Sequence, residues 1–126
     1  MDITNEKRRF SRTPVEIDIK LKEVESAFDG VNYDGVSIHA TTVNLSPMGI
    51  AFKTTNELKA DATYSAHIYY KDFNPCIINL RVLNINKDEN GEYTYGCKFE
   101  GFNGNLLKNP LINELYNSIN NNQSEK

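Results

Sequence analysis

Between residues 15 and 99 the apolar positions recur mostly at every second residue; beyond residue 107 they recur at every fourth. Val15, Ile17, Ile19 and Leu21 alternate with Glu16, Asp18, Lys20 and Lys22, the pattern of a half-buried strand with one charged face. The β-branched run from Val36 to Val43 predicts a second strand reaching towards Leu45. Ile50 to Thr54 predicts a third, and Tyr64, Ala66, Ile68 and Tyr70 mark the buried face of a fourth. A fifth runs from Ile77 to Ile85. Its Ile78, Leu80 and Val82 share a face, whereas Leu83 and Ile85 take the opposite parity, which predicts a bulge or sharp bend near Val82. Asn90-Gly91 signals a hairpin into a sixth strand, Tyr93 to Phe99. Further turns are expected at Asp29-Gly30, Asp34-Gly35 and Ser46-Pro47-Met48-Gly49.

The change of period at Leu107, Leu111, Leu115 and Ile119 predicts a terminal helix with one apolar stripe, capped by Asn103 or Asn105. Pro110 is tolerated only in a first turn, so the regular helix should begin near Asn109 after a looser turn. Such a stripe has to be covered, and the open end or side of a barrel would cover it. Six short antiparallel strands followed by one helix give a mainly β chain, a sandwich or a small closed barrel. Residues 1–12 are polar and read as a mobile lead-in, and 120–126 as a disordered polar tail.

With 126 residues, 39% hydrophobic and 25% charged, the chain is one globular domain. Nothing approaches the roughly 18 consecutive apolar residues of a membrane helix. The first seven residues lack a secretion signal, so the expected location is the cytoplasm, without membrane insertion. Cys76 and Cys97 make neither a disulfide framework nor a metal set, and Cys97 falls in an apolar alternation that predicts a buried thiol. His39 and His67 stand isolated in strand patterns, with no Cys, Asp or Glu at ligand spacing, and are expected to be solvated. No nucleophile elbow, phosphate loop or paired catalytic carboxylates occur, so neither an enzyme nor a bound cofactor or metal is expected. Tyr64, Tyr69, Tyr70 and Phe73 are conceivable stacking platforms for single-stranded nucleic acid. A pI of about 5.4 and a net charge of −3 argue against a polymeric anion as partner.

The positive charge is nevertheless concentrated. Lys7, Arg8, Arg9 and Arg12 lie within six positions, a cluster suited to a compact anion. Arg8 and Arg12 form Arg-x-x-x-Arg; each guanidinium is a rigid fork that can grip a phosphate, stack on a purine or match guanine O6 and N7. Alone, the cluster is better explained as a solvated basic segment. The second motif, Asn44-x-Ser46-x-x-Gly49, has the residues an ordinary type I turn prefers. It also offers an amide, a hydroxyl and a glycine at which backbone can approach a ligand. Antiparallel pairing of the first two strands would bring both motifs to one rim.

The paired motifs, with Ile50-Ala-Phe after the glycine, Tyr95-Gly-Cys-Lys-Phe99 as a late strand and a terminal helix, resemble the PilZ domain family of bacterial cyclic di-GMP receptors. The resemblance covers residues 7–119 and implies a six-stranded antiparallel β-barrel with a C-terminal helix, preceded by a lead-in over residues 1–6. It further implies that Arg8 and Arg12 contact phosphates and guanine faces, with Arg9 adding charge. Asn44 would meet a guanine edge, Ser46 would hydrogen-bond the ligand and Gly49 would shape the turn. Lys7 would bear on how many nucleotides bind. The implied function is a second-messenger receptor whose N-terminal segment changes conformation on binding. It would relay the signal to a protein partner in motility, adhesion or exopolysaccharide control. The alternative is a PilZ-like interaction module that binds no nucleotide.

Overall fold

The computed structural model describes residues 14–24, 36–101 and 104–120. Six strands follow in chain order: β1 (Val15–Glu23), β2 (Val36–Ser46), β3 (Gly49–Thr54), β4 (Thr63–Tyr69), β5 (Cys76–Lys87) and β6 (Tyr93–Glu100). All neighbouring pairs are antiparallel, and the order β1-β2-β3-β6-β5-β4 closes on itself because β1 pairs with both β2 and β4. Closure leaves none of these strands with an unpaired edge. The expected cluster Lys7–Arg12, the turns at Asp29-Gly30 and Asp34-Gly35, Asn103 and residues 121–126 lie outside the described residues.

The period-two alternation is what fills the barrel. Ile17, Ile19 and Leu21 of β1 point inward beside Ile38, Ala40, Phe52, Ile68, Leu80 and Tyr95, all nearly or fully buried. Tyr64 and Tyr70 belong to this core, and Phe73 stacks on Tyr70 at 6.3 Å, so these rings are packing and not stacking platforms for a nucleic acid. A barrel of so few strands has an interior wide enough only for its own side chains.

Two bulges interrupt the ladders. In β5 the register moves from Val82↔Cys97 to Asn84↔Gly96, leaving Leu83 as the extra residue, where the parity break predicts it. In β2 it moves from Thr42↔Phe52 to Asn44↔Ala51, leaving Val43 extra. The Asn90-Gly91 signal closes a three-residue hairpin loop, with Gly91 at φ 86° and Asp88 Oδ1 accepting from the amides of Asn90 and Glu92.

Both barrel ends are shut. At one, a single 3-10 turn (Leu106–Lys108) leads into helix α1 (Pro110–Asn120), which packs on β1 and β2 through Leu111, Ile112, Leu115 and Ile119. Tyr70, just beyond β4, donates its hydroxyl to Ser118 Oγ at 2.7 Å there. The capping expectation needs correction: Asn105 caps the 3-10 turn, and the helix proper is capped by Asn109. The Asn109 Oδ1 accepts from the amides of Leu111 and Ile112 at 2.9 and 3.1 Å. Pro110 then sits at the first helical position, where it has no hydrogen bond to lose. At the other end Tyr95 Oη accepts from Leu58 N and donates to Asn56 O, while Tyr64 Oη accepts from Lys59 N. The loop between β3 and β4 is thereby tied across the opening.

Because Asn109 satisfies two otherwise orphaned amides, Asn109→Ala should cost about 1 kcal/mol of stability. Asn109→Asp should retain most of it, read as the shift in urea midpoint.

Candidate ligand-binding site

With the barrel core filled by side chains, two concavities are considered among the described residues, one on the outer wall and one at the tyrosine-tied end. On β2, Ile38, Ala40 and Thr42 point inward; strict alternation would send Asn44 inward too. The extra residue Val43 shifts the parity, so Leu45 becomes the buried residue and Asn44 and Ser46 emerge together on the outer face. This bulge thus aims two of the three residues in the second motif.

The turn that follows is held from both sides. Ser46 Oγ accepts from Met48 N at 3.1 Å, and Met48 O accepts from Phe99 N at 2.9 Å, which pins the turn to β6. Gly49 is required by packing. A Cβ built on it would lie 2.1 Å from the backbone oxygen of Cys97, a clash no side-chain rotation relieves. Among the described residues the glycines with left-handed φ are Gly91, Gly101 and Gly104, so Gly49 serves by close strand approach and not by an unusual turn angle.

Beside the turn lies an open groove of about 390 Å³ across β2, β3, β6 and β5. Its walls include Asn44, Ser46 and Met48 on one side and Leu83, Asn84 and Lys98 on the other, with Gly49, Ala51 and Gly96 between them. Lys98 contributes positive charge, and among the described residues no carboxylate lines the groove. A second cavity of about 330 Å³ at the tyrosine-tied end is lined by Leu21, Ile38, Leu58 and Tyr64 together with Glu23 and Glu57. Its two carboxylates disfavour an anion, and the groove is the better receptor for one.

Of the two motifs expected to converge, the described residues carry one. Val15 pairs with Thr42, so β1 begins beside the end of β2 that carries Asn44, on the groove's near side. Asn44, Ser46 and Gly49 are gathered at one place; Lys7, Arg8, Arg9 and Arg12 precede β1 and lie outside the described residues. Sequence reasoning missed Leu83, Asn84, Gly96 and Lys98. The signal available for them was the parity break at Leu83, which locates the second bulge, and the hairpin, which sets Asn84 opposite Gly96.

The expectation of an isolated His39 is overturned. Asp18 faces it across the β1–β2 ladder, and its ring nitrogens contact two carboxylates, Nδ1 with Asp18 Oδ1 at 2.9 Å and Nε2 with Glu16 Oε1 at 2.6 Å. A neutral imidazole has one N–H, so both contacts are satisfied only by the imidazolium. The Asp18 hydrogen bond first, then that of Glu16, raises the His39 pKa from its ordinary 6.5. The buried Cys97 thiol is pushed up to about 12 by desolvation, and burial raises that of Cys76 too, so neither is a nucleophile at neutral pH.

Comparison with known proteins agrees with this architecture. The family model of the PilZ domain matches residues 6–116. The crystal structure of MrkH from K. pneumonia is similar over 82% of this chain, with a TM-score of 0.52 and 16% sequence identity. That likeness is one of fold, and the chain spans 44% of MrkH. No curated protein matches the sequence.

Two outcomes follow from the geometry. Gly49→Ala should destabilise the barrel by about 1–3 kcal/mol or more, because the added methyl meets backbone; chemical denaturation measures it, and an unchanged midpoint would contradict the packing role. An NMR titration of His39 should give a midpoint above 6.5 that falls in Asp18→Asn. Because the folded-state value is raised, the contribution of this clamp to stability is complete below pH 6.5 and is lost as pH rises through the folded pKa.

Proposed function

The chain belongs to the PilZ domain family, and on that premise we propose that it is a receptor module for cyclic di-GMP. The observation that carries the reading is the β2 bulge, which turns Asn44 and Ser46 outward together beside the beginning of β1. The arginine motif in the sequence immediately precedes that strand. In this role Asn44 offers its amide to a guanine edge and Ser46 its hydroxyl to the ligand. Gly49 keeps the turn close to β6.

Arg8 and Arg12 bring what the described groove lacks, two permanently charged forks that pair with phosphate oxygens or with guanine O6 and N7. Arg9 adds charge, and Lys7 bears on how many nucleotides are bound. The compact anion draws residues 7–12 over the near side of the groove. The resulting surface, part chain and part ligand, is what a protein partner reads. The role is one of binding and relay, without catalysis.

The test is calorimetric titration of the full chain with cyclic di-GMP, beside GMP and cyclic di-AMP. Cyclic di-GMP should bind, and Arg8→Ala and Arg12→Ala should each weaken it roughly 10- to 100-fold, the value of a charge-assisted hydrogen bond, with the melting temperature kept. Equal weak responses to all three nucleotides would reduce the cluster to a generic anion patch. Absence of binding by the folded wild type would favour a PilZ-like interaction module instead.

A further inference from the structure

The hydroxyl of Thr42 is out of place. Thr42 points into the barrel with none of its surface exposed, and its Oγ1 has no hydrogen-bond partner among the described residues. A buried hydroxyl left unpaired costs the desolvation of that group, and native structures seldom leave one without a reason. Val43, the next residue, is the extra one of the β2 bulge and is only half-buried. The barrel thus buries the polar member of this pair and gives the apolar member to the surface. Threonine and valine are alike in shape and differ in the hydroxyl, so the shape of the inward slot does not choose between them.

Moving the bulge back by one residue reverses the assignment and disturbs little else. Glu16↔Thr41 and Thr41↔Lys53 stand on one side of the bulge, and Asn44↔Ala51 stands on the other. All three survive the move. What changes is the residue between them: Val15 and Phe52, which both pair with Thr42, would pair with Val43. Phe52 is fully buried and Val15 packs against the core, so Val43 would gain one aromatic and one β-branched neighbour, a favourable cross-strand combination. Thr42 would take the half-buried place that Val43 holds, with its hydroxyl in reach of water. Asn44 would stay outward and Leu45 inward.

The β5 bulge has no such freedom. There the inward residue is Val82, 1% exposed, and the extra residue is Leu83. A move would expose one apolar side chain in order to force a larger one into its slot. Of the two bulges, that on β2 alone combines a match in shape with a mismatch in polarity.

We propose that the β2 bulge has two positions, at Val43 and at Thr42, and exchanges between them. The move re-pairs the first residue of β1 from Thr42 to Val43, one place nearer Asn44. Arg12 precedes Val15 by three residues in the sequence. Resting on the cyclic di-GMP reading above, the exchange alters the span between Asn44 and the arginine segment, so a ligand that touches both favours one position over the other. The position at Thr42, with Val15 drawn towards Asn44, is the one it selects.

Two substitutions bias the bulge in opposite directions. Thr42→Val removes the unpaired hydroxyl and holds the bulge at Val43; it should raise the urea midpoint and weaken cyclic di-GMP binding several-fold. Thr42→Lys cannot keep its ammonium in the core and should move the bulge to residue 42. The chain should then fold, with nuclear Overhauser contacts joining Val43 to Val15 and Phe52. Ala40→Lys, at an inward position away from the bulge, should not fold. In the wild type, NMR relaxation dispersion on the microsecond-to-millisecond scale should single out Val15, Thr42, Val43 and Phe52. A folded Thr42→Lys in which Val15 still faces residue 42, or a lowered midpoint in Thr42→Val, would overturn the inference. If Thr42→Lys does not fold, the wild-type dispersion decides, and a flat profile at all four residues overturns it. Unchanged cyclic di-GMP affinity in Thr42→Val would overturn the coupling to ligand and leave the exchange standing. Failure of the wild type to bind would overturn the receptor reading, while the spectra still decide the exchange.

Discussion

Closure of a six-stranded barrel leaves no free interior, and the rest of this structure follows from that constraint. Phe52, Tyr95, Leu80 and their neighbours fill the space between the strands, the helix covers one end, and a loop bound by two tyrosine hydroxyls covers the other. The groove beside the Ser46–Gly49 turn lies on the outer wall, whose natural curvature is convex. A concave site on such a wall needs either an inserted residue that bends a strand or a missing side chain that lowers the floor. The groove uses both, with bulges at Val43 and Leu83 and small residues at Gly49, Ala51 and Gly96 between them.

The two interior glycines of that floor illustrate how identical residues can have different causes. Gly49 answers to the fold, because the carbonyl of Cys97 occupies the space of its side chain. Gly96 answers to no contact of that kind. A substitution at Gly49 should therefore move the unfolding transition, whereas one at Gly96 should leave it in place. Stability and binding measured together separate scaffold from site, which neither measurement does alone.

Much of this was legible in the sequence because burial on one face writes itself as alternation. Ile17, Ile19 and Leu21 specify β1 and its inner face directly, and the parity break after Val82 marks the β5 bulge. The β2 bulge was not legible, because the inward residue before it is Thr42, a polar side chain whose burial alternation cannot reveal. The His39 clamp was hidden for another reason: Glu16 and Asp18 are more than twenty residues away, and only the β1–β2 register puts them beside the ring. The cap at Asn109 was obscured by Asn105, four residues earlier and equally competent, which caps a separate turn. Of the groove's lining, Asn44, Ser46 and Gly49 stand out in the sequence as a motif, whereas the opposite wall depends on pairings between strands distant along the chain.

The electrostatics of the groove give the choice of Asn44 a physical sense. A carboxylate there would accept two donors from a guanine edge, where an amide oxygen offers one acceptor group and no charge. In compensation, the described lining carries Lys98 and no negative charge at all, on a chain whose net charge is −3. On the cyclic di-GMP reading proposed above, a ligand bearing phosphates would meet no negative charge in this described lining, and in a site open to solvent that long-range term acts before any hydrogen bond forms. On that reading, Asn44 in place of a carboxylate would exchange strength in one base contact for a described lining without negative charge.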